Sequence, residues 1–410
     1  MRQRSLIAIT AALAAGALTL TACGSRDDNG GGSDSGNGDT TVVIGVDAPL
    51  TGDLSALGLG IKNSVDLATK IANKEKYVEG VTFKIEALDD QGQASVGQQN
   101  ATKLVANKDV LGVVGPLNSS VGESMQKVFD TAKLVEVSPA NTNPALTQGV
   151  NWAKEKARPY KSYFRTATTD AIQGPFAAQY VFNDAKKKKV FVIDDKKTYG
   201  AGLAATFTAE FKKLGGQVVG TEHINPESKD FSAVATKVKN SGADVVYYGG
   251  EYPQAGPLSK QIKEAGAKIP LVGGDGIYSA DFIKLSGAAG TGDLATSVGA
   301  PVESLPSAKE FVANYKAEGY KEAYEAYGGY SYDSAWAIIE AVKKVVEGND
   351  GKLPDDARAK VVDAMQDVSF DGVTGKVSFD EFGDATNKQL TVYTVKGGDW
   401  ATVKSGTFTG

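Results

Sequence analysis

Beyond Thr40 the chain alternates short β-branched runs with longer stretches in which apolar residues recur every three or four positions. TVVIGVDAPL reads as a strand, and GIKNSVDLATKIANK as an amphipathic helix with Ile61, Val65, Ala68 and Ile71 on one face. VTFKIEALDD is again a strand, SVGQQNATKLVANK a helix, VLGVVGP a strand, SSVGESMQKVFDTA a helix and LVEVSPA a strand. This alternation predicts parallel strands joined by crossover helices.

A second series follows the segment 150–164: KVFVIDD, GAGLAATFTAEFKKLGG, QVVGTEHI, FSAVATKVKNSG, DVVYYGG, AGPLSKQIKEAG and IPLVGGDG. Two β/α series of this length predict two lobes, each with its own parallel sheet. The segment GVNWAKEKARPYKSYF fits no clear element and reads as an excursion near the first crossing between the lobes. In open α/β sheets the binding crevice lies beyond the carboxyl ends of the strands. The candidate chemistry is therefore in the residues just after each strand.

Composition changes this picture little. The chain has 410 residues, 41% hydrophobic and 23% charged, with a formal net charge of -5. This is soluble, globular material, and the acidic balance without a basic stripe argues against nucleic acid as a partner. The run Lys186 to Lys189 reads as a solvated surface entering a strand.

The first residues are a different matter. Arg2 and Arg4 precede an apolar run from Leu6 to Leu20, followed by Leu20-Thr21-Ala22-Cys23. That order of charged, apolar and small residues is an export signal over 1–23, too short for a confident membrane span. Leu-Thr-Ala-Cys resembles a bacterial lipobox, with Cys23, the only cysteine, as the lipidated residue. Diacylation supplies two chains, enough for stable membrane anchoring. Residues 24–40 are almost wholly Gly, Ser, Asp and Asn, without the ligand spacing of a calcium loop, and read as a flexible tether.

At the strand ends, Ser119 and Ser120 sit where VLGVVGP gives way to a helix, so N–H groups and hydroxyls lie beside the positive end of the helix dipole. Such a site suits an anion; simple helix capping by Ser119 is the alternative. The neighbouring VSPANTNPA offers Asn141 and Thr142 as a second donor cluster, stiffened by Pro139 and Pro144. In the second series the strand ends carry Tyr199, Glu251 and Asp275, the last between two glycines. A carboxylate there suits a cation; an Asx-type turn is the alternative. Anion donors in one lobe and a carboxylate in the other predict a zwitterion between them.

The motifs APLTGDLSALG, DDQGQ, VVGPLNSS, SPANTNP, DDKKTYGAGL, KDFSAVATKVKNSGADVVYYGG and VSFDEFGD occur in this order. Together they resemble the leucine/isoleucine/valine-binding protein family, the type I periplasmic solute-binding proteins of ABC importers, from about Val42 to about Thr394. The resemblance implies an α/β fold of two doubly wound parallel-sheet lobes, joined by three crossing segments and closing on an amino acid. Lobe 1 is expected over 41–165 and 302–376, lobe 2 over 166–301 and 377–410. The family's carboxylate donors fall on Ser119 and Thr142, its ammonium-binding carbonyl on Ala140 and its acidic ammonium partner on Asp275. Tyr199 matches a ligand-contacting tyrosine, and Tyr327 lies near a side-chain-pocket aromatic. Asn118, Asn141, Leu57 and Glu251 stand where the family tends to have cysteine, alanine, tyrosine and tyrosine, so a polar or cationic ligand side chain is an alternative to leucine. Gly92 and Asn118 replace two cysteines that some members join.

The expected partners are an amino-acid ligand, the permease subunits and, through Cys23, the membrane; the chain is expected to be monomeric and to need no cofactor or metal. A sensor would share every ligand residue. An enzyme on the same fold is disfavoured: His223 is the only histidine, there is no G-x-S-x-G elbow, and GLGLGIKN lacks the last glycine of a dinucleotide loop.

Overall fold

The computed structural model describes residues 39–408, so the expected leader, Cys23 and nearly all of the tether lie outside the described residues. Five parallel strands form the first sheet: β1 (Thr40–Ala48), β2 (Val81–Asp89), β3 (Val110–Val114), β4 (Val135–Ser138) and β5 (Tyr163–Arg165). Their order is β2-β1-β3-β4-β5. Helices α1 (Ser55–Lys74), α2 (Ala94–Ala106) and α3 (Ser119–Thr131) make the crossovers, and α4 (Ala145–Gln148) is a single turn. Residues 43–48 of β1 are all buried, as a strand covered by helices on both faces must be.

The segment 150–164 holds a surprise: its end pairs with β4 as β5. Three residues ending in a buried arginine give no strand period to read. Helix α5 (Asp170–Gln179), which continues into a π-turn over Tyr180–Asp184, was equally invisible, because Gly174-Pro175 reads as a breaker. Pro175 is the sixth residue of this helix, past its first turn, and removes one interior N–H from the helical ladder.

The second sheet takes β6 (Lys189–Asp194), β7 (Gln217–His223), β8 (Val245–Gly249), β9 (Leu271–Gly273) and β10 (Leu294–Val298), all parallel. Between them run α6 (Thr198–Lys213), α7 (Ser232–Asn240), α8 (Tyr252–Glu264) and α9 (Ala280–Ser286). The chain then returns to the first sheet through α10 (Lys309–Glu318), α11 (Gly328–Glu347) and α12 (Ala357–Met365); α11 packs on α1, β3 and β4. After a small hairpin, β11 (Ser369–Gly372) with β12 (Gly375–Ser378), it crosses again and adds β13 (Gln389–Lys396) and β14 (Asp399–Thr407) to the second sheet.

The final order is β14-β13-β10-β9-β8-β6-β7. The second sheet is thus mixed rather than wholly parallel, because β13 runs antiparallel to β10 and β14 antiparallel to β13. Gly397 and Gly398, with φ of 65° and 84°, make the turn that a two-residue hairpin requires.

The chain therefore passes between the sheets three times: after Arg165, after Val298, and between Ser378 and Gln389. The first and third crossings are tied together. Arg165, fully buried, donates from Nε to Asp384 Oδ1 at 2.7 Å and from Nη1 to the Asn141 carbonyl at 2.7 Å; its Nη2 donates to Thr147 Oγ1. Gln148 Nε2 donates to the other Asp384 oxygen at 2.6 Å.

Candidate functional site

The strand ends of both sheets meet around a small cavity. Leu57 of α1, Leu117, Asn118 and Ser119 after β3, and Ala140 after β4 line one side. Tyr199 at the start of α6, Glu251 after β8, and Asp275 and Gly276 after β9 line the other, with Tyr327 just before α11.

Ser119 is the first residue of α3, preceded by Asn118 at the N-cap, and that cap carries no side-chain hydrogen bond. Capping therefore does not explain the hydroxyl-rich turn. The Ser119 hydroxyl accepts the Asn143 N–H at 3.5 Å and stands on the cavity wall at a helix N-terminus.

The turn after β4 is locked to the turn after β3. Ser138 Oγ donates to the Pro116 carbonyl at 2.8 Å and accepts the Asn141 N–H at 2.9 Å. Asn141 Nδ2 donates to the carbonyls of Pro116 (3.1 Å) and Leu117 (2.9 Å), while Tyr163 donates to its Oδ1 at 3.0 Å. Asn141, expected at the ligand pocket, is not among the residues that line this cavity, and its amide braces these two turns. Gly122 is glycine for the same reason, since a Cβ there would lie 2.2 Å from Asn141 Oδ1. Thr142 is also off the wall; its hydroxyl is buried without a hydrogen-bond partner among the described residues.

Asp275 is 1% exposed and engaged by side chains from three elements. Tyr199 and Gln173 Nε2 each donate to Oδ1 at 2.8 Å, and Tyr327 donates to Oδ2 at 2.8 Å. This is not a local turn motif but a carboxylate presented to the cavity by donors from α5, α6 and the start of α11. Burial pushes its pKa up, and the three side-chain donors oppose that shift. The adjoining glycines are required by the packing: a Cβ on Gly274 would lie 2.5 Å from the Tyr199 hydroxyl, and one on Gly276 2.9 Å from Tyr199 Cε1.

Tyr199 is brought there by an equally close approach of α6 to β8. A Cβ on Gly249 would fall 2.1 Å from the Gly200 carbonyl oxygen, so TYG and YYGG are complementary halves of one contact. Glu251 follows at the N-cap of α8, without a capping bond. Its Oε2 accepts Lys197 Nζ at 3.1 Å, and its Oε1 accepts the Asn118 amide from across the cavity. Lys197 is raised in pKa, foremost by the charge of Glu251. Gly92 and Asn118 are neighbours, with a Cβ on Gly92 placed 3.4 Å from Asn118 Oδ1.

Further bonds join the two sides around the cavity. Asn143 Nδ2 donates to the Thr198 carbonyl at 2.7 Å, Thr198 Oγ1 to Glu123 at 3.0 Å, and Lys229 pairs with Asp53 at 2.8 Å. The sequence reading missed Leu117, Gly276, Gln173 and Lys197. Lys197 lies two residues before Tyr199 in a quoted motif; Gln173 had no predicted element to carry it. His223, on β7, is half-exposed and bonded through Nδ1 to Asp194 at 2.8 Å, away from the cavity. Among the described residues no group of three or more His, Cys, Asp or Glu side chains is arranged to hold a metal. No described helix is long and apolar enough to cross a membrane.

The family model for periplasmic binding proteins matches residues 41–399. A Leu/Ile/Val-binding protein homologue of Brucella melitensis is 31% identical over 354 residues, covering 86% of this chain and 90% of that protein. The crystal structure of a leucine-binding protein from Thermotoga maritima superposes with a TM-score of 0.79 at 27% identity, covering 89% of this chain and 98% of that one. A solute-binding protein of an ABC transporter from R. palustris, solved with 4-hydroxybenzoate, shares the fold with a TM-score of 0.77 at 21% identity, over 90% and 98% of the two chains. The chain therefore belongs to the periplasmic binding protein family, in its type I, leucine/isoleucine/valine-binding group.

Proposed function

We propose that this protein is the extracytoplasmic substrate-binding component of an amino-acid ABC importer. The observation that carries the reading is the placement of opposite polarities on one cavity: Ser119 at a helix N-terminus on one side, the buried carboxylate of Asp275 on the other. An α-amino acid presents a carboxylate and an ammonium group at a spacing that such a clamp can grip. The ligand's carboxylate docks first on the lobe of 41–165 and 302–376, at Ser119, with Thr142 supporting from behind and the Ala140 carbonyl receiving the ammonium. The lobe of 166–301 and 377–410 then closes and brings Asp275, Tyr199 and Glu251 onto the ammonium group and side chain, where Tyr327 of the first lobe donates to Asp275.

Closure is selected by the ligand because only the closed form offers contacts from both lobes. A permease would recognise that form. Relatives named for leucine, isoleucine and valine make a neutral aliphatic ligand the first to test, and the benzoate-bound neighbour shows that the fold also accepts other carboxylates. A thermal-shift screen of the twenty amino acids and benzoates, followed by titration calorimetry, tests the reading. Stabilisation by benzoates and by no amino acid would refute it. Lipidation at Cys23 would anchor the binding protein as a monomer beside its permease; loss of radiolabelled fatty-acid incorporation in Cys23→Ser checks that anchor.

A further inference from the structure

Two carboxylates line the cavity, Asp275 and Glu251. Asp275 is held by neutral donors alone, whereas Glu251 has a full positive charge on one oxygen and an amide on the other. The positive charge is Lys197, whose side chain is 29% exposed against 8% for Glu251. Lys197 sits at the N-cap of α6, two residues before Tyr199, and its ammonium approaches Glu251 from behind the cavity wall. Two further acids lie close, Asp195 and Asp90, but neither lines the cavity, and burial pushes them up to about 7 and about 6. Two leucines, Leu57 and Leu117, line the same cavity.

We propose that Lys197 sets the specificity of the site by neutralising Glu251, so that the cavity takes amino acids with neutral side chains and rejects those ending in an ammonium or guanidinium group. The proposal rests on the reading of the cavity as an amino-acid site and narrows it, since a glutamate on the wall would by itself invite a cation. A cationic side chain entering here would meet an acid already paired. It would also come close to the Lys197 ammonium held behind that acid, a like-charge juxtaposition that disfavours binding. A neutral side chain meets a paired acid and two leucines, with no uncompensated charge left beside it. Lys197 has a second effect: it fixes the carboxylate that accepts Asn118 from the opposite side, so it positions one of the bonds made on closure.

The test is titration calorimetry of the full set of neutral and cationic amino acids against wild type, Lys197→Met and Lys197→Arg. Wild type should bind one or more neutral amino acids and neither lysine nor arginine. Lys197→Met should gain lysine or arginine binding by about tenfold or more while losing affinity for the neutral ligand, and Lys197→Arg should restore the wild-type preference. A role confined to packing would lower all affinities together and would produce no gain. If wild type binds lysine or arginine as well as any neutral amino acid, or if Lys197→Met gains nothing, the proposal is overturned while the amino-acid reading stands. If wild type binds no amino acid of either class, both fall.

Discussion

Replacing Asp275 by asparagine isolates charge from shape. The side chain keeps its size, and its remaining carbonyl oxygen can still accept Tyr199 and Gln173, which both donate to Oδ1 at 2.8 Å. The new amide group meets Tyr327, now at 2.8 Å from Oδ2, and that hydroxyl can rotate to accept. Folding should therefore change by no more than about 1–2 kcal/mol, the scale of one disturbed buried hydrogen bond. Ligand binding should suffer far more, because a buried ammonium loses its only formal counter-charge. Breaking a buried pair costs about 3–5 kcal/mol, and about 1.4 kcal/mol is a factor of ten in affinity.

Three donors already share the charge of Asp275, so the lower end applies and the loss should be roughly a hundredfold. Titration calorimetry at pH 7 measures it, with thermal unfolding of the free protein as the control for folding. Acid pH supplies an independent arm. Because burial raises the pKa of Asp275, protonation sets in at a higher pH than for an ordinary aspartate, and wild-type affinity should fall as pH falls through that raised value. The asparagine variant should lack this dependence. An affinity within about threefold of wild type, with folding intact, would remove Asp275 from the clamp.

Other outcomes follow from features away from the ligand. Burial raises Asp90 to about 6, Asp195 to about 7 and Asp170 to about 8, so the folded protein keeps protons that the unfolded chain has released above about pH 4. Stability should therefore decline as pH rises from 5 to 8, and Asp170→Asn should flatten the upper part of that slope; denaturant titrations at several pH values would refute the assignment if stability rose instead. Asp384→Ala strands the buried guanidinium of Arg165 and should destabilise the fold by about 3–5 kcal/mol, read as a lower denaturant midpoint, whereas a loss under 1 kcal/mol would show the pair to be dispensable. Gly249→Ala forces β8 and α6 apart where a Cβ would lie 2.1 Å from the Gly200 oxygen, so it should weaken binding by displacing Tyr199; unchanged affinity would argue against that route.

The regular part of the architecture was legible in the sequence because long strands buried on both faces and amphipathic helices each have a period. Every quoted strand from TVVIGVDAPL to IPLVGGDG is present as a strand. What had no period was lost: β5, three residues with an arginine that is buried only because Asp384 lies 219 positions away, and α5, masked by its Gly-Pro. The site shows the same division. Ser119, Tyr199, Glu251 and Asp275 could be found because they follow strands, and the fold gathers strand ends, whereas Ala140 came only through the family resemblance. Asn141 follows a strand too, yet its amide turns to Pro116 and Leu117, and nothing in a linear pattern reveals which way an amide turns. The meaning of VSFDEFGD emerges only in three dimensions, where its last residue is the partner of Arg165.

The late strands β13 and β14 have a consequence for how the polypeptide comes into being. Strand β10 remains an open edge until residues 389–407 arrive, and β3 and β4 lack their α11 cover until residue 347 has been made. A chain synthesised from its amino end thus cannot finalise either half early, and long stretches stay uncommitted while the remainder is still being polymerised.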